Sequence, residues 1–275
     1  MARDFSHKIS LGQNFLVNRE VIRRTVEAGA IGLSDVLLEI GPGQGALTRE
    51  LLESPCAFLH AVEIDRRLEP WLHPMEQSFP NKFQITWADA LQISFSSLSP
   101  QPNKILANIP YNITTPLIWK ILEELAPSNL ELIILMVQKE AADRLISPAR
   151  TKERYPLGIT LELMGTLRPF LRVSPGSFNP PPKVNSSLIL LRIERRRRLA
   201  GDGLWKELMR GAFAQRRKTL ANNLLSAGFP KNLIADAMEE CQIPSNARAE
   251  ELLSPQWFSL YSLLKENAKN EECRP

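Results

Sequence analysis

Four consecutive residues, Asn108-Ile-Pro-Tyr111, bring together a side-chain amide, a backbone that proline deprives of one donor, and an aromatic ring, all at the end of an apolar run. That set suits an exocyclic ring amine. The lone pair of such a nitrogen is delocalised into its ring, so the nitrogen attacks poorly. It attacks better when its hydrogens are accepted by the Asn108 side-chain oxygen and a carbonyl such as that of Ile109, which favours a pyramidal geometry. Pro110 fixes the turn and Tyr111 can stack on the ring. Phe178 is the candidate second face for a base drawn out of its stack. No general base is needed, because the proton becomes acidic once the nitrogen is alkylated. His7, His60 and His73 are scattered and are expected to be structural or solvated.

Upstream, Gly41-Pro-Gly-Gln-Gly45 lets a chain leave a strand, turn tightly and present backbone N–H groups to a ligand at the next helix. With Ala46 three residues after Gly43 the spacing satisfies the dinucleotide fingerprint, which is weak evidence on its own. Glu63, near the end of the second strand, can accept from ribose hydroxyls, which suits NAD and S-adenosylmethionine equally. Asp89 in Trp87-Ala-Asp-Ala90 can receive an adenine amino group, or can merely cap the next turn.

These residues need a frame that gathers strand ends. Apolar runs predict strands at Asp35–Ile40, Ala57–Ile64, Phe83–Ala88, Lys104–Asn108 and Leu130–Val137. Helical spacing predicts helices at Val21–Ala30, Ala46–Ser54, Arg67–Gln77, Thr115–Leu125 and Lys139–Ile146. Such alternation is the mark of an α/β protein with a doubly wound, mostly parallel sheet, whose ligands collect beyond the carboxyl ends of the strands. Residues 147–157 read as a polar loop that could cover or border the site. Leu167–Val173 and Ser187–Ile193 flank Phe178-Asn-Pro-Pro-Pro-Lys183 as a closing strand pair. Glu194–Gly203, with four consecutive arginines, reads as the boundary between a catalytic domain at 1–197, with an arm at 1–20, and a small helical C-terminal domain at 198–275.

The 275 residues carry a net charge of only +4, yet Arg192–Leu220 holds ten Lys/Arg against three Asp/Glu. That asymmetry suggests a polyanionic partner, and charge alone fits a solvated linker and helix face about equally well. Cys56, Cys241 and Cys273 lie far apart with no histidine nearby, so neither a disulfide framework nor a metal site is expected. No run is long and apolar enough for a membrane span, and Met1–Ser10 lacks a signal core, so a cytoplasmic protein is expected.

Taken in order, the motifs resemble the ribosomal RNA small-subunit adenine dimethyltransferase (KsgA/RsmA) family. They are Gly12-Gln-Asn-Phe-Leu16, Glu39-Ile-Gly-Pro-Gly-Gln-Gly-Ala-Leu-Thr48, Val62-Glu-Ile-Asp65, Asp89, Asn108-Ile-Pro-Tyr111, Phe178-Asn-Pro-Pro-Pro-Lys-Val184 and Phe213-Ala-Gln-Arg-Arg-Lys-Thr-Leu220. The resemblance implies a Rossmann-like methyltransferase fold. It implies an S-adenosyl-L-methionine site at Gln13, Asn14, Leu16, Gly41, Gly43, Gly45, Glu63, Asp89, Ala90 and Asn108, the cofactor leaving as S-adenosylhomocysteine. It implies that Tyr111 and Phe178 hold the target adenine, and that Arg216, Arg217 and Lys218 contact RNA phosphates. The implied substrate is a pair of neighbouring adenosines in a hairpin loop near the 3′ end of 16S rRNA, in the assembling small subunit, each receiving two methyl groups. A monomer is expected. Asn185 departs from the aspartate many members carry there. The rivals are a macrolide-resistance methylase acting on large-subunit rRNA, disfavoured by Phe213–Leu220; a non-catalytic assembly factor on the same fold; and a protein-glutamine methyltransferase.

Overall fold

The computed structural model describes residues 13–194 and 199–272, which form two compact units. Among the described residues, the first unit comprises 13–142 and 166–194. Its seven-stranded sheet contains β2 (Val36–Ile40), β3 (Phe58–Glu63), β4 (Phe83–Trp87), β5 (Lys104–Asn108), β6 (Leu132–Gln138), β7 (Gly165–Val173) and β9 (Ser186–Ile193), in the order β4-β3-β2-β5-β6-β9-β7. The pairs among β2 to β6 are parallel, and β9 joins β6 antiparallel, from Leu132 opposite Arg192 to Gln138 opposite Ser186. Every residue of β2 is buried, as expected of a central parallel strand covered on both faces.

Helices α1 (Arg19–Ala28), α2 (Ala46–Glu53), α3 (Glu69–Ser78) and α4 (Thr114–Glu124) connect or flank the strands. The first begins two residues before the apolar periodicity, because Asn18 Oδ1 accepts from the N–H groups of Glu20 and Val21 and so caps it. At the opposite end of the sheet from the site, the Lys104 ammonium donates to Asp35 Oδ2 at 2.6 Å and to the Ala30 and Gly29 carbonyls, pinning the end of α1 to β5. A two-residue ladder unannounced by the sequence joins β1 (Phe15–Leu16) to β8 (Phe178–Asn179), with Leu16 opposite Phe178.

Among the described residues, the second unit comprises 143–165 and 199–272. After α5 (Lys139–Leu145), the segment read from sequence as a loop of the first domain instead leads into α6 (Pro156–Met164) and packs with the C-terminal helices α7 (Gly203–Ala212), α8 (Leu220–Ser226), α9 (Lys231–Glu240) and α10 (Ser254–Glu272). Seven of the nine residues of α6 are buried, so it has no polar face and no helical stripe for periodicity to detect. Ile159 and Leu163 join Trp205, Leu208, Leu224, Trp257 and Leu260 in one apolar cluster. Trp205 Nε1 donates to Thr160 Oγ1 at 3.0 Å, and the buried Arg154 donates to Ser254 Oγ at 2.6 Å. The boundary expected at 197/198 falls on residues outside those described.

Candidate active site

Strand β2 delivers the chain to three glycines with left-handed backbones, φ being 72° at Gly41, 60° at Gly43 and 81° at Gly45. At Gly43 a Cβ would lie 2.8 Å from the Phe15 ring, so the turn and the N-terminal arm fit together only through glycine. Glu63 closes β3 with both oxygens engaged: Oε2 accepts from Gly43 N at 3.2 Å and Oε1 from Asp65 N at 2.9 Å. Burial pushes its carboxyl above the ordinary range, against the pull of those N–H groups. Each oxygen keeps acceptor capacity for a hydroxyl.

Asp65, buried two residues on, is held down at about 2 by the Arg67 guanidinium. Its Oδ2 also accepts from Gln13 Nε2 at 2.7 Å, which ties the arm to β3. Asp89 Oδ1 accepts from Leu91 N at 2.9 Å, so the capping role does occur, and the same side chain also lines the central cavity.

Asn108 ends β5, where its Nδ2 donates to the Asn14 carbonyl at 3.0 Å. A carbonyl only accepts, so the amide nitrogen must face Asn14, and Oδ1 is turned the other way. In the turn that follows, Pro110 O accepts from Ile113 N and Tyr111 O from Thr114 Oγ1. The half-buried Tyr111 shares a 2.6 Å hydrogen bond with Ser186 Oγ, and burial raises its phenol.

Gln13, Asn14, Gly41, Gly43, Glu63, Asp89, Ala90 and Asn108 through Tyr111 line one cavity of about 240 Å³. Ile40, Val62 and Ile64 supply its apolar wall, Ile64 standing exposed beside Glu63, and Phe15, Leu91, Asn112 and Ile113 line it too although no motif assigned them to the site. Leu16 and Gly45 border an adjoining hollow that shares Gly41, Gly43 and Asn108. Phe178 is on neither wall. It is 3% exposed, within the apolar core beside Leu16, Leu188 and Val173. Arg216, Arg217 and Lys218 are exposed in the turn between α7 and α8, not on a helix face.

The glycine cradle, the acid at the end of the second sheet strand, the carboxylate after the third and the amide after the fourth, on a mostly parallel sheet, define a Rossmann-like methyltransferase. The model of the family "Ribosomal RNA adenine dimethylase" matches residues 4–266, and the chain belongs to that family. It is thus an enzyme that methylates adenine in ribosomal RNA. Among its relatives, ribosomal RNA small subunit methyltransferase A of Thermosynechococcus vestitus is 36% identical over 94% of this chain and 97% of its own. The protein of the same name from Clostridium botulinum is 36% identical over 90% of each. A dimethyladenosine transferase from Plasmodium falciparum superposes with a TM-score of 0.77 at 26% identity, covering 93% of this chain and 98% of its own. The 23S rRNA methyltransferase ErmE superposes at 0.67 and 25% identity, covering 92% and 100%.

Proposed function

We propose that the chain transfers methyl groups from S-adenosyl-L-methionine to the exocyclic amines of two neighbouring adenosines near the 3′ end of 16S rRNA in the assembling small subunit, acting as a cytoplasmic monomer. The observation that carries the chemistry is the amide of Asn108, whose oxygen is left for the substrate amine because Asn14 takes its nitrogen.

The cavity residues fit the cofactor. Two carboxylates at successive strand ends, Glu63 and Asp89, match hydroxyl and amino donors, and the Gly43 turn gives a cradle that a Cβ would fill. S-adenosylmethionine supplies a methyl group on a sulfonium. The chain's own residues do the rest. Asn108 Oδ1 and Ile109 O accept the two amine hydrogens and so direct the lone pair out of the ring plane, while Tyr111 offers its ring to the base. Phe178 lies in the apolar core and on neither cavity wall in this structure. The exposed cluster of Arg216, Arg217 and Lys218 is suited to phosphate contacts.

The test is methyl transfer from labelled S-adenosylmethionine to unmodified small ribosomal subunits and, separately, to large-subunit rRNA, followed by digestion to nucleosides. Dimethyladenosine from small subunits alone is expected. Label on large-subunit rRNA would instead support a macrolide-resistance type of methylase, to which the weaker likeness to ErmE points. The Asn108→Ala enzyme is expected to lose at least about a hundredfold in transfer, a drop comparable to removing an oxyanion donor.

A further inference from the structure

We propose that Ser186 is a positioning residue for methyl transfer: its hydroxyl fixes the Tyr111 ring in the plane that receives the target base. The proposal rests on the reading that Tyr111 stacks on that base.

A tyrosine serving only as an apolar face needs no hydroxyl, and a phenylalanine would do as well. Here the phenol oxygen lies 2.6 Å from Ser186 Oγ, and Ser186 is fully buried. A short bond between two hydroxyls at the far end of the ring fixes a side chain otherwise free to turn about its two torsions. Its base is fixed as well, because Thr114 Oγ1 donates to Tyr111 O at 3.1 Å and closes the turn.

The anchor is itself rigid. Ser186 opens β9 opposite Gln138, at the site end of seven consecutive register pairs with β6. Immediately before it, the Asn185 carbonyl accepts from Lys139 N at 3.0 Å. Ser186 therefore joins the end of the proline-rich segment 180–185 to the wall of the cavity. A reacting amine must be held within a fraction of an ångström of its attack line, so a ring allowed to swing would slow transfer without emptying the cofactor site.

The experiment compares Tyr111→Phe, Ser186→Ala and the double variant in single-turnover methyl transfer on small subunits, with S-adenosylmethionine affinity measured by calorimetry. Each single change is expected to slow transfer about tenfold, the effect of one net hydrogen bond. The double variant should be no slower than the slower single one, because both remove the same bond. Cofactor affinity should stay at the parent value. Parental transfer by Tyr111→Phe, or losses that multiply in the double variant, would overturn the proposal. Should Ser186→Ala unfold, Tyr111→Phe decides, since it leaves the β9 anchor intact. Tyr111→Ala separates the two levels: full transfer by that variant removes the stacking role of Tyr111 and the proposal with it. An inactive Tyr111→Ala beside a fully active Tyr111→Phe removes only the role of Ser186.

Discussion

Asn108 was legible from its place in a four-residue string, but its usable orientation was not, because the partner that sets it lies 94 residues earlier in the chain at Asn14. The same holds for Glu39, which reads as an ordinary member of the Glu39-to-Thr48 motif yet is 1% exposed. Burial, with Glu63 close by, pushes its carboxyl up to about 8; the neighbouring Thr48 hydroxyl opposes this without reaching hydrogen-bond geometry. An acid whose folded pKa is raised binds more protons folded than unfolded. Its contribution to stability is therefore greatest below about pH 4.5 and is lost as pH rises toward 8. Glu39→Gln escapes that loss. Its stability relative to the parent is expected to improve between pH 5 and 8 by up to about 1.4 kcal/mol per unit, as read by denaturant titration at each pH. A constant difference across that range would place an ionised Glu39 in the folded protein.

At the scale of elements, the parallel strands were visible as bounded apolar runs, and their carboxyl ends brought together the residues the motifs had singled out. What escaped was structure made by distant pairing. The β1–β8 ladder is two residues long on each side, too short to show a period, and it takes Phe178 into the core. A motif phenylalanine before three prolines looks like an exposed clamp until the ladder is known. Phe178→Ala should therefore cost about 3–5 kcal/mol of stability in chemical denaturation, more than an exposed ring could account for. An unchanged midpoint would return it to the surface. The glycine turn gives a second expectation. Gly43→Ala puts a Cβ at positive φ and 2.8 Å from Phe15, so the arm must move or the turn must strain. Cofactor affinity measured by calorimetry should fall roughly tenfold, in line with the penalty of an L residue in the left-handed region. Helix α6 was missed for the opposite reason: a helix buried nearly all round has no stripe.

For the whole molecule, a net charge of +4 understates how unevenly the charge is placed. Arg216, Arg217 and Lys218 stand exposed in one turn, braced by Asn223, whose Nδ2 donates to the Ala212 and Gln215 carbonyls at 2.8 and 3.0 Å. Replacing all three by alanine should lower the dependence of rRNA affinity on salt, by about 0.7–1 in the log–log slope for each lost contact, while leaving cofactor affinity alone. Filter binding across a salt series checks this, and an unchanged slope would show that the turn does not touch RNA. The order of strands in the sheet has a further consequence, for how the chain is made. Strand β9 lies between β6 and β7 but is synthesised after both, so the apolar edge of β6 and the whole of β7 wait for it. At about 5–20 residues per second, the 55 residues that follow Gln138, up to Ile193, take several seconds to emerge. Throughout that interval the nascent chain carries an open, sticky strand edge, and its yield in the cell should depend on chaperones that shield it.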